Sequence, residues 1–152
     1  MLLSPTTKLA YVVKSDFSAI KSGTAIGTVA VTGPDGVLRA REVQIFVPGA
    51  VPAFGTQPWD TESGASMNNA PVSTMADAKV DNIAGHMLTI SLPSGDKQLF
   101  VPPTVPVVTY APADRSALVT GTHVIAFAVK HDDGSVTTTV VQIGQNGLVP
   151  PM

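Results

Sequence analysis

The sequence matches itself at an offset of 98 residues. Pro5 to Ile45 aligns with Pro103 to Ile143 without a gap, and 14 of the 41 pairs are identical, against about 3 expected from average residue usage. The identities include Asp16 and Asp114, Ser18-Ala19 and Ser116-Ala117, and Gly23-Thr24 and Gly121-Thr122. Further on come Asp35-Gly36 and Asp133-Gly134, then Val43-Gln44-Ile45 and Val141-Gln142-Ile143. A run of this kind in one register marks an internal duplication, so the fold has to be built from one unit used twice.

The matched residues are those that turn geometry demands. Asp-Gly is a favoured hairpin pair because Gly tolerates positive φ. Each pair lies between β-rich stretches, 24–31 and 37–46 in the first copy, 122–130 and 135–143 in the second. Asp16 to Gly23 and Asp114 to Gly121 each read as one helical turn, capped by Asp or Ser and ended by Gly. The balance of 21 Val and 16 Thr against 9 Leu also favours strands, since β-branched side chains suit a pleated surface.

The second copy has more sequence ahead of its matched part. Strands are expected over 72–81, 86–92, 97–101 and 105–110, with turns at Asn82 to Gly85 and Pro93 to Asp96. Leu88, Ile90 and Leu92 alternate with Thr89 and Ser91, as in a half-buried strand. About six short strands with one helical turn point to a small OB-like barrel. The expected fold is therefore all-β, with tandem OB-like small β-barrel repeats, the first incomplete at its N-terminus, joined by a Pro/Gly-rich linker. Residues 1–46 form the C-terminal part of the first repeat, 47–71 the linker, and 72–152 the second, complete repeat.

The first copy begins only at its fourth strand. Open strand edges are normally paired or covered, which leaves three repairs: an omitted upstream segment, strands of the second copy, or another chain. The first is favoured here. The third makes a homo-oligomer through the open edges an expectation too. In the linker, Pro48, Pro52, Pro58 and Pro71 with Gly49, Gly55 and Gly64 leave no helical or strand period.

That linker holds the only Trp. Phe54, Trp59 and Asp60 are the candidate partner-binding residues, because an aromatic on a Pro-rich loop offers a rigid binding face. The competing expectation has Trp59 folding back to plug the β structure. No catalytic, metal or cofactor constellation is expected. His86, His123 and His131 are not at ligand spacing, and Asp133 shares its turn with Asp35, so the acidic pair Asp132-Asp133 reads as turn chemistry. Ser18 to Lys21 and Ser94 to Lys97 fit S-x-x-K, but the companion S-D-N and K-T-G elements are absent.

Several classes are excluded by composition. A net charge of -2 with only 9 Lys plus Arg gives no general attraction to phosphate backbones, so an OB-type single-stranded nucleic-acid binder ranks second. A hydrolase with a poorly marked site ranks third. No apolar run approaches the roughly 18–20 residues of a transmembrane helix.

Pro58-Trp59-Asp60, Ser66-Met67-Asn68-Asn69-Ala70, the two Asp-Gly hairpins and Gly147-Leu148-Val149-Pro150-Pro151-Met152 together resemble a group of uncharacterised bacterial exported proteins with tandem OB-like domains. The likeness covers essentially the whole chain. Some members carry the label "metal ABC transporter permease", which the lack of any span argues against. The family more often has a basic residue where this chain has Gln57, so the resemblance gives no essential role to a cation there. It implies an export signal and the first strands of the first barrel upstream, and so a periplasmic or secreted location, although this sequence carries no signal peptide and a cytoplasmic one stays open. The lack of a catalytic constellation, with a duplicated scaffold joined by a Trp-bearing loop, points to a non-enzymatic envelope module that binds a protein or small ligand.

Overall fold

The computed structural model describes residues 2–48 and 53–151. The expected linker segment 49–52 and the terminal Met152 lie outside the described residues. The chain is all-β, with ten strands and three single 3-10 turns among the described residues. It divides into two compact units, one of residues 15–109 and one of residues 2–14 with 110–151.

The unit 15–109 contains a closed five-stranded barrel. Its strands are β2 (Ala25–Thr32), β3 (Leu38–Ile45), β5 (Ala65–Val80), β6 (Ile83–Leu92) and β7 (Gly95–Val101). β5, β6 and β7 form an antiparallel meander, β7 lies parallel to β3, β3 pairs antiparallel with β2, and β2 returns antiparallel to β5. The barrel therefore does not close within 72–152, as strand order along the chain suggests. Two of its five strands come from residues 25–45. The β2–β3 hairpin left open in sequence is closed by β5, β6 and β7, which follow it in the chain.

Closure follows from where the apolar side chains point. Ile26 and Ala30 of β2, Leu38, Ala40, Val43 and Ile45 of β3, and Leu88, Ile90 and Leu99 of the meander share one buried cluster. The alternation 88–90–92 puts that face inward, as its period requires.

The stretch expected to lack regular structure holds β4 (Gly55–Pro58) and the first part of β5. Pro58 is tolerated because β4 is a short edge strand, paired only with β5. Pro71 is tolerated because the Val72 amide bonds the Thr24 carbonyl, so the neighbouring Pro71 nitrogen turns the other way, where the ladder with β6 starts only at Val72. β5 bends at a bulge between Val72 and Thr74 as it enters that ladder. The turn after it is Asp81-Asn82, with φ of 52° and 62°, rather than 82–85. Asp and Asn accept the left-handed region through local hydrogen bonding, and this frees Ile83 to Gly85 to extend β6.

Gly85 has a packing reason to be Gly. A Cβ there would stand 2.6 Å from the Val101 carbonyl oxygen and 2.8 Å from the Phe100 ring. Gly85→Ala should cost about 1–3 kcal/mol through forced backbone displacement. Urea denaturation would check this, and an unchanged midpoint would show that β6 and β7 separate freely.

The second unit contains β1 (Leu2–Lys14), β9 (Val124–Lys130) and β10 (Val136–Gly144), with β1 parallel and β9 antiparallel to β10. Its turns repeat those of the first unit. Asp16 and Asp114 each accept the amide two residues on at 2.8 Å, capping the 3-10 turns Phe17–Ala19 and Arg115–Ala117. Gly36 and Gly134 close their hairpin turns at φ of 79° and 83°. Both hairpins carry a bulge at equivalent places, between Val29 and Ala30 against β3 and between Thr138 and Val140 of β10.

The first bulge takes in Glu42. Its Oε1 accepts from the Val29 amide at 3.0 Å and from Gln44 Nε2 at 3.2 Å, while Oε2 is buried with no partner. Burial raises its pKa to about 8, against the lowering effect of the Val29 and Gln44 bonds.

Candidate interaction site

Trp59 follows β4, where its amide bonds the Ala65 carbonyl at 3.0 Å. Its ring packs against Val29, Ala65 and Met67, a cluster separate from the barrel core. The indole Nε1 is buried with no hydrogen-bond partner. Trp59 thus turns onto the outer side of β2 and β5, while Phe54 and Asp60 stay exposed. Of the three sequence candidates, Trp59 is half-buried and the other two are exposed.

Trp59→Ala should destabilise the barrel unit by about 1–3 kcal/mol, less than a fully buried Trp because the ring is only partly covered. A chemical melt followed by far-UV dichroism would check this. A midpoint equal to wild type would mean that the ring contributes nothing to the fold.

The remaining candidates are occupied by local structure. His86 stacks on Phe17 at 3.8 Å between centroids and meets Asp77 at 3.1 Å. His131 Nε2 lies 2.9 Å from the Thr137 hydroxyl. Asp133 accepts the Ser135 amide at 2.8 Å, as turn chemistry requires. The Ser18 hydroxyl bonds Asp16, and the Lys21 amide bonds Thr24. Among the described residues no three His, Asp or Glu side chains gather as metal ligands, and no helix is long and apolar enough to cross a membrane.

An open depression of ≈ 470 Å³ borders Tyr11, the 119–123 loop and Gly144 to Gly147. His123 and Tyr11 are its only titratable lining groups, so it lacks a partnered acid and base. The two Arg of β3 are already paired, Arg39 with Asp35 and Asp81, Arg41 with Glu62. Arg39 holds the Asp35 carboxyl down to about 2.

The surface that stands out is the sheet β1–β10–β9. In the closed barrel Ile26 and Leu38 are 0% and 1% exposed; Val124 and Val136, 98 residues further on, are 43% and 36% exposed. Ala30 is buried and Ala128 is exposed, and Val129 is half exposed. The free edge of β9 has no strand along it among the described residues. The sequence marks 122–130 as a β-rich stretch, but periodicity does not report whether a covering partner is present. The signal available was the matching of 124–143 to a hairpin that needs three more strands.

No family model, curated protein or solved structure matches the chain.

Proposed function

We propose that the chain is a non-enzymatic interaction module made of two OB-like units, one closed and one open, which binds a polypeptide through the open one. The strand order of the closed barrel supports the OB-like reading: a meander, a parallel contact and a returning hairpin form a five-stranded Greek-key barrel. The turns and bulges recurring 98 residues apart support the duplication. An envelope location rests on the resemblance alone.

The observation that carries the binding reading is the exposed apolar strand β9. A long apolar edge is a template for pairing, and native proteins cover or charge such edges. Here only Lys130 is charged in the strand. Recognition through Phe54, Trp59 and Asp60 is less favoured, because the Trp59 ring is partly covered by Val29, Ala65 and Met67.

A photoreactive amino acid at position 129, introduced in producing cells, tests this. A discrete adduct is expected there, lost on Val124→Asp and absent when the probe stands at Lys97 of β7. Absence of an adduct from both 124 and 129 would overturn the reading.

A further inference from the structure

Resting on that reading, we propose that β9 accepts strand addition and that its partner is a polypeptide carrying a three-stranded antiparallel β-meander. The closed barrel supplies the template. There β2 pairs with β5, Ile26 opposite Ala70, Thr28 opposite Asn68 and Ala30 opposite Ser66. The residues 98 further on are Val124, Ala126 and Ala128. Each is equal to or smaller than its counterpart, so a strand shaped like β5 meets no added bulk along β9.

The parallel side of the sheet agrees in register. On β3, Arg39 faces Phe100, and Val43 to Ile45 face Val107 to Thr109. On β10, Thr137 faces Leu2, and Val141 to Ile143 face Leu9 to Tyr11. Every one of these pairs is the other displaced by 98 residues, with the two partners exchanged. Leu2 therefore holds on β10 the place that Phe100, near the end of the meander, holds on β3. Among the described residues, the open unit has counterparts of β2, β3 and the end of the meander, and none of the first two meander strands or the start of the third.

One position differs in kind. Thr138 stands where β3 has Ala40, and its hydroxyl is buried with no hydrogen-bond partner. A second copy of this chain is a poor donor by count. It carries one such meander, and its own β2–β3 hairpin holds it. Main-chain ladder bonds would supply affinity and the alternating apolar side chains register, as in other cases of β-augmentation.

The probe is a synthetic peptide of residues 65–98, ending before the place Leu2 already fills. It is added to the full chain, and amide hydrogen exchange and calorimetry are followed. One-to-one binding with at least about tenfold slower exchange across β9 is expected, since ladder pairing removes amides from water. Val124→Asp should abolish the effect and leave exchange in β5 to β7 unchanged. No protection of β9 at saturating peptide, or equal protection by a scrambled peptide, would overturn the proposal. So would β9 already protected in the free protein with a dimer in solution. An adduct at position 129 without strand protection would leave the interaction module standing and remove the meander as its partner.

Discussion

Glu42→Gln should raise the melting temperature at pH 8.5 by about 10 °C and change it little at pH 4.5. The carboxyl is pushed from its ordinary 4.5 up to about 8 by burial. A carboxyl whose folded pKa lies above its unfolded one binds its proton more tightly in the native state. Its contribution is then fully present below pH 4.5 and is lost as pH rises toward 8. Across that window stability falls by about 1.4 kcal/mol for each pH unit.

Gln keeps an oxygen for the Val29 amide and the Gln44 side chain and carries no titrating proton. Melts of both proteins from pH 4.5 to 9 decide the matter. The wild type should show a descending limb that the variant lacks. Equal slopes would mean that Glu42 stays ionised and hydrated in the fold.

Ile26→Ala and Val124→Ala should differ widely although the two residues occupy matching places in their hairpins. Ile26 is fully buried among the barrel side chains, and truncating such a residue costs about 2–5 kcal/mol through lost transfer energy and the cavity left behind. Val124 is nearly half exposed, so its truncation should cost less than about 1 kcal/mol. Urea titrations with probes in each unit give both values. A Val124 cost as large as that of Ile26 would show that the β9 face is covered in solution, and the free edge would no longer be a site for a partner.

Turns were the most legible part of the fold. Asp-Gly pairs, Asp caps and closing Gly residues name their geometry locally, and the 3-10 turns and Asp-Gly hairpins stand where the sequence puts them, whereas the turn expected at 82–85 falls at Asp81-Asn82. Strand positions followed from alternation, to within a few residues at most ends. Partner choice did not follow. Periodicity says which face of β2 is apolar, not which strand lies beside it, and β2 finds β5 some 40 residues away in an unforeseen part of the chain. The density of Pro in 47–71 concealed β4 and the start of β5, because the main-chain direction that excuses Pro71 is settled only by the ladder it joins.

Of the candidate binding residues, Trp59 was recognised as either anchor or plug, a choice that local sequence does not contain. Glu42 gave no signal at all. In Arg39-Ala40-Arg41-Glu42 it reads as one more solvated charge, and the bulge at which it is buried arises from pairing with β2.

The parallel contact of β1 with β10 joins segments far apart in sequence, and Thr7 bonds the Thr138 carbonyl across 131 residues. During synthesis, β1 emerges more than 100 residues ahead of its partner. The barrel of 15–109 has all its strands once residue 101 has emerged, whereas the β1–β10 ladder must wait for residue 144. Contacts this distant in sequence carry a large loop-closure cost before they give any return. The two units should therefore form in a fixed order, barrel first. Through that interval the apolar N-terminal strand remains without its mate, at the stage of life when a nascent chain most needs protection from its neighbours.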